Sequence, residues 1–409
     1  MPIEIKVREQ DAKLLLAYYA ALSGFTVVIG EQLRVEKASM TLPQGIYFSK
    51  GYPNHYKKRL VAQIKNTGHH FVELDEEGLI IHDKARYLSD RMNPSLNSRI
   101  DHVYCWGDDQ YDLIKNSSTP LTKKIFKTGN PRFDLLSKKY RGLYLEQGPT
   151  NKSFSQTILI NTRFALYNSI QKSKTALNEH EQYMKRLFNH FIKLVNALSK
   201  SYPSLQFIVR PHPAENQLTY KRAFTDLKNV RVTTKGNVIT SILSSDMIIH
   251  NGCTTGIEAF LLDKPVINYQ PVTHSKFDVN LPNDVSVKAT SIEEVKQMID
   301  ESYTETSPSN HLTEKHNKLK QYYHFGEAYA FEQIIHKLQQ LPKLTHPQNN
   351  RKIKPTNYQS KSSNYRFPYF TEKEIHHFFK KLNQIERQNH SFHIQKLDHL
   401  VYKITKENR

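Results

Sequence analysis

Short apolar runs alternate with helical patterns along most of this chain, an order that favours parallel strands with helices crossing back over the sheet. Residues 2–7 alternate like a short strand, Asp11–Ala20 has helical spacing and stops near Gly24, and Phe25–Gly30 predicts a buried strand. The rhythm continues through Gly45–Phe48, a helix around Lys57–Thr67, Phe71–Leu74 and His102–Gly107. It restarts with Thr157–Thr162, a helix over about Asn178–Lys200, strands ending at Arg210 and His250, and Pro265–Tyr269. Two Rossmann-like, doubly wound units are expected, over 1–150 and 151–330, joined by a polar passage near Leu145–Gln156. Ser291–Glu294 and Thr371–Glu374 have the capping-box order and open two further helices. Residues 331–409 read as a basic, partly helical C-terminal extension, in which Pro347–Ser363 has the Asn, Lys, Ser and Pro content of a mobile segment.

Two strand ends carry the strongest chemical signal. One apolar run closes on Arg210-Pro211-His212-Pro213, the other on His250-Asn251-Gly252-Cys253-Thr254-Thr255-Gly256. Ligands of parallel sheets gather outside the carboxyl ends of strands, so both segments point to one pocket. The second runs into a helical pattern at Ile257, so the turn would offer backbone N–H groups and the Thr254 and Thr255 hydroxyls to an anion. Arg210 and His212 would add charge-assisted contacts, with the prolines holding His212 in a fixed direction. His250 is a weaker candidate for direct contact. Glu258, one turn into that helix, would accept from ribose hydroxyls or serve the helix dipole alone. Asn161-Thr162-Arg163, after the first strand of the second unit, could reach the same pocket.

In the first unit, Asp75-Glu76-Glu77-Gly78 places three acids at a strand end. Repulsion within such a cluster can raise one pKa towards neutrality, which suits a base that deprotonates an attacking hydroxyl, and Glu76 or Glu77 is expected in that role. A solvated acidic loop would look the same. Arg8-Glu9-Gln10-Asp11 would bind acceptor or cap the first helix, and Asn130-Pro131-Arg132-Phe133-Asp134 would form a rigid turn or reach the cleft.

The formal net charge of the 409 residues is +19, and from Lys343 onward 14 Lys+Arg face 5 Asp+Glu, a surplus of +9. Charge so placed suggests an anionic membrane surface more than nucleic acid, for which no recognisable module is present. Cys105 and Cys253 are the only cysteines and form no zinc or disulfide pattern. No signal peptide and no apolar stretch of bilayer length is evident, so a cytoplasmic location, with peripheral contact at the inner membrane, is expected.

These residues resemble the bacterial surface-carbohydrate biosynthesis proteins, GT-B-like glycosyltransferases distantly related to capsule Kdo transferases, sialyltransferases and the glycerophosphotransferases of teichoic-acid synthesis. The likeness runs from Arg8–Lys13 through Leu42–Gly45, Asp75–Gly78, Trp106-Gly107 and Thr128–Asp134 to the two strand ends, over about residues 1–330. It implies two Rossmann-like domains facing a central cleft. His212-Pro213 and Thr254-Thr255 would hold the phosphate and ribose of a nucleotide sugar, CMP-linked as in CMP-Kdo or CMP-sialic acid. Glu76-Glu77-Gly78 resembles the Glu-Asp-Gly element of the Kdo transferases, with Glu in place of Asp. The implied reaction is sugar transfer to a glycan or lipid-linked acceptor hydroxyl in capsule or lipopolysaccharide synthesis, with neither metal nor cofactor. Alternatives are transfer of a polyol phosphate from a CDP-polyol, epimerisation of a nucleotide sugar by an enzyme of GT-B shape, and a non-enzymatic scaffold.

Overall fold

The computed structural model describes residues 1–117, 123–145, 154–169, 176–301, 309–344 and 367–407. Contacts divide the chain into a first unit of Met1–Leu135 with Lys320–Arg409 and a second of Leu136–Leu319. The boundary expected at 150 and the segment 347–363 lie outside the described residues.

Fourteen strands are assigned among the described residues. In the first unit they are β1 (Pro2–Ile3), β2 (Val27–Glu31), β3 (Ile46–Ser49), β4 (His70–Leu74), β5 (His102–Cys105), β6 (Ile125–Lys127), β13 (Phe392–Asp398) and β14 (Val401–Lys406). The second unit holds β7 (Gln156–Asn161), β8 (Leu205–Arg210), β9 (Val230–Val232), β10 (Met247–His250), β11 (Val266–Tyr269) and β12 (Val287–Ala289). They form three sheets, ordered β1-β2-β14-β13, β3-β4-β5-β6 and β12-β11-β10-β7-β8-β9.

The third sheet is all parallel and reverses its direction of winding between β7 and β10. Read from the other edge its order is 3-2-1-4-5-6 of the Rossmann type, and the crevice for ligands lies at that reversal. Its helices form because their caps and spacing demand it. Asn178 and Glu181 make a reciprocal capping box that opens the helix Glu179–Ser201, and Tyr183, Leu187, Phe191, Leu194 and Leu198 recur at helical spacing. That stripe packs into one core with Ile158, Ile160, Phe207 and Val209 from β7 and β8.

The first unit departs from a single doubly wound sheet. β14 pairs antiparallel with β2, so the C-terminal hairpin shares a sheet with β1 and β2 rather than trailing away. Gly30 makes this possible: a Cβ there would lie 2.0 Å from the Leu400 carbonyl oxygen, which instead accepts from the Glu31 N–H at 3.0 Å. The capping box at Thr371 and Glu374 opens the helix Glu372–Glu386 as expected. That helix packs on Lys6–Leu22, where the Tyr18 ring meets Phe379 edge-on and its hydroxyl donates to Asn383. The first helix begins at Lys6, five residues before the expected start, because Glu9 reaches back to accept from the N–H groups of Glu4 and Ile5.

Candidate functional site

Three loops leave the carboxyl edge of the second unit's sheet beside one another, after β8, β7 and β10 in that spatial order. The outer two strands are roughly 10 Å apart, two inter-strand spacings. Arg163, two residues beyond β7, donates from Nε to the Asn251 carbonyl oxygen at 2.6 Å and from Nη2 to Asn251 Oδ1 at 3.3 Å, bridging the reversal point. Among the described residues no carboxylate lies within ion-pair distance of it. Burial therefore lowers its pKa, and its bonds go to neutral oxygens only. A guanidinium held this way has capacity for an anion.

The β10 loop is shaped around that side chain. Gly252 adopts φ +57°, and a Cβ there would meet Arg163 Nη2 at 2.8 Å. Its N–H donates to Asn283 Oδ1 at 2.8 Å, and Asn251 Nδ2 donates to the Tyr269 carbonyl at 2.9 Å. Thr254 stands half-buried at the helix start and makes no capping bond with its hydroxyl. Thr255 Oγ1 accepts from Asn161 Nδ2 at 2.9 Å and donates to Cys253 Sγ, which ties the β7 and β10 ends together a second time. The helix Thr255–Leu261 has only seven residues, so anion capture here rests on side chains and loop amides rather than on a helix dipole.

His250 is fully buried. Nε2 meets Ser286 Oγ at 2.7 Å, Nδ1 accepts from the Cys253 N–H, and burial, helped by the Arg163 charge, lowers its pKa to about 3. It is a neutral strut beneath Gly256, whose Cβ position it blocks at 2.4 Å. Glu258 is likewise buried. Arg210 turns its guanidinium to the carbonyls of Lys235 and Gly236 and to Ser241 Oγ, at 2.8, 2.6 and 3.2 Å. That occupation secures the loop after β9, whereas the sequence reading had aimed Arg210 at phosphate. His212 and Pro213 are half-buried, and His212 Nδ1 accepts from the Ala214 N–H at 3.2 Å. The sequence offered Arg163 only as part of the Asn161–Arg163 strand end and gave the charged phosphate contact to Arg210, although both lie at the ends of apolar strands. The proline frame drew attention to the latter.

In the first unit each acid of the Asp75-Glu76-Glu77 run has its own cation. Arg91 holds Asp75 through Nε at 2.8 Å and through Nη2, Lys13 holds Glu76 at 2.8 Å, and Arg8 meets Glu77 at 3.2 Å. Burial pushes Asp75 and Glu76 up, but these cations outweigh it and hold both below the ordinary carboxylate range. The expected mutual repulsion is therefore replaced by pairing. Glu77 is the exposed member, the one an acceptor could meet directly. A raised carboxyl does occur nearby: burial lifts Glu9, against Lys50 and with a further push from Glu76. Lys50 also pairs with Glu4 at 2.7 Å, so four charged side chains of this cluster, Glu9, Lys13, Lys50 and Glu76, are buried together. An open hollow of about 450 Å³, lined mainly by helix residues that include Lys84, Asp109 and Asp112, lies in the same unit, but it contains none of these candidates.

No protein-family profile and no curated protein matches the sequence. Solved structures do match its fold. S. aureus MnaA in a co-structure with UDP aligns over 81% of this chain and 93% of its own length, at 14% identity and TM-score 0.50. A candidate UDP-N-acetylglucosamine 2-epimerase from Listeria monocytogenes aligns over 81% and 92%, at 15% identity and TM-score 0.51. The chain thus has the α/β, GT-B-like fold that the sequence led us to expect, with parallel Rossmann-like sheet elements.

Proposed function

We propose that this chain is a nucleotide-sugar enzyme of surface-polysaccharide synthesis, with the nucleotide phosphates held at the β7–β10 reversal of the second unit. The observation that carries the reading is Arg163, a buried guanidinium with no carboxylate at ion-pair distance among the described residues, seated against the Gly252 turn. The Thr254 hydroxyl and His212 supply further contacts, Thr255 serves as the tie to Asn161 and Cys253, and Glu258 is the candidate for ribose. Cationic side chains would then stabilise charge on the departing phosphate without a metal.

For the chemistry we retain glycosyl transfer to a glycan acceptor, with Glu77 as the accessible candidate base and Asp75 and Glu76 positioned by their cations. The second reading is epimerisation of the nucleotide sugar itself. The two matched structures favour it, one being solved with UDP and the other described as a UDP-N-acetylglucosamine 2-epimerase. They also weigh towards a uridine rather than a cytidine nucleotide.

A thermal-shift panel of CMP, CDP, UDP, GDP and their sugars tests the site. A ligand at a hundredfold excess over its Kd stabilises by about 2.7 kcal/mol, so a selective pyrimidine response should be plain. It should vanish in Arg163→Ala. A chain stabilised by none of these nucleotides would sink the proposal. Incubation with a nucleotide sugar then separates the chemistries: a changed sugar without acceptor indicates epimerisation, whereas transfer needs an acceptor and raises its mass.

A further inference from the structure

Glu215 is almost fully buried, at 1% exposure, and no cation pairs with it among the described residues. Its Oε1 accepts from Thr162 Oγ1 at 2.8 Å and from the His212 N–H at 2.9 Å, while Oε2 accepts from the Tyr220 hydroxyl. Pro211 and Pro213 have no amide hydrogen, so the His212 N–H is the one backbone donor among residues 211–213, and Glu215 takes it. The Glu215 N–H returns a bond to the His212 carbonyl at 2.8 Å. Thr162 directly precedes Arg163. One carboxylate thus joins the loop that carries Arg163 to the turn that carries His212, across neighbouring strands β7 and β8.

A carboxylate is the group this junction requires. Four donors converge on it, the Phe164 N–H being the fourth, and a carboxylate offers acceptors on both oxygens, whereas an amide has only one. Burying a charge among neutral donors is costly, and burial does raise its pKa. Leaving any of these donors unsatisfied would cost more than a lost contact.

We propose that Glu215 is a positioning residue that fixes the spacing between Arg163 and His212, and thereby sets affinity for the diphosphate of the nucleotide. This rests on the function proposed above. Glu215 touches no substrate; it acts by holding the turn that carries the His212 imidazole in a fixed relation to the loop that carries the Arg163 guanidinium.

Calorimetric titration of the full chain with UDP, with inorganic pyrophosphate and with uridine tests it. In Glu215→Gln, affinity for UDP and pyrophosphate should fall ten- to a hundredfold while uridine binding, which needs no phosphate contact, stays unchanged. Tyr220→Phe, which leaves both Oε1 bonds in place, should retain UDP affinity within about threefold. Should Glu215→Gln fail to fold, Thr162→Val removes a single donor and should show the same selective loss at smaller size. Equal weakening of UDP and uridine, or no weakening of either, overturns the positioning role. A wild-type chain that binds neither UDP nor pyrophosphate instead overturns the phosphate-site reading, and this inference with it.

Discussion

Arg163 Nε donates to the Asn251 carbonyl oxygen at 2.6 Å, joining the loop after β7 to the loop after β10 where the strand order reverses. Substituting Arg163 should weaken nucleotide binding far more than it weakens the fold. We expect Arg163→Lys to lose about tenfold in nucleotide affinity by calorimetry, since an ammonium cannot reproduce the planar fork, and Arg163→Ala to lose about a hundredfold. Affinity unchanged in Arg163→Ala would remove this residue from the site.

Gly252 holds φ +57° directly against Arg163. Gly252→Ala should cost about 1–2 kcal/mol from the left-handed backbone, and its methyl group would also displace the guanidinium. Denaturant unfolding and nucleotide titration on the same variant should show both losses. A fully stable Gly252→Ala with normal binding would contradict the close approach.

The Asp75–Arg91 pair gives a pH dependence with a definite sign. The folded pKa of Asp75 is depressed, so its contribution is fully present above the ordinary aspartate value of about 3.9 and is lost as pH falls through the lower folded value. Glu76, also depressed, acts in the same direction. Arg91→Leu leaves a buried carboxylate without its cation and should cost about 3–5 kcal/mol at neutral pH. That deficit should shrink on acidification, when Asp75 takes up a proton; urea unfolding between pH 3 and pH 7 measures it, and a deficit that stays constant would show that the charge pairing is not its source.

Residues 367–407 cannot be removed as a tail. β14 lies between β2 and β13, and the helix Glu372–Glu386 covers the helix Lys6–Leu22. Truncation at 366 should expose the edge of β2 and the Tyr18 face, and lower the midpoint of thermal unfolding by more than 10 °C, or abolish soluble expression. Gly30→Ala should reproduce part of that loss through the Leu400 carbonyl. Membrane attraction by the basic surplus is therefore better tested by neutralising lysines on the exposed face, such as Lys373 and Lys380, and measuring sedimentation with anionic vesicles. Unchanged sedimentation after neutralisation would argue against that attraction.

By itself the sequence determined what local physics controls. The period of apolar residues placed most strands within a residue or two, and Asn178, Ser291 and Thr371 marked helix starts, because capping and burial of a periodic face need only neighbours along the chain. The strand ends at Arg210 and His250 and the acids at 75–77 were legible for the same reason. Tertiary structure alone decided what each of those side chains does. Arg210 and Arg163 look alike in sequence, yet one is consumed by carbonyls of the loop after β9 and the other faces the β10 turn. The 75–77 acids look like a repelling cluster, yet each meets a cation, two of which come from the first helix. The sequence reading took residues 331–409 as a partly helical extension, whereas Phe392–Asp398 and Val401–Lys406 form a hairpin whose pairing with β2, some 370 residues away, depends on the space left by Gly30. Pairings between residues so distant in sequence are set by which surfaces meet in the folded chain, and no local pattern encodes them.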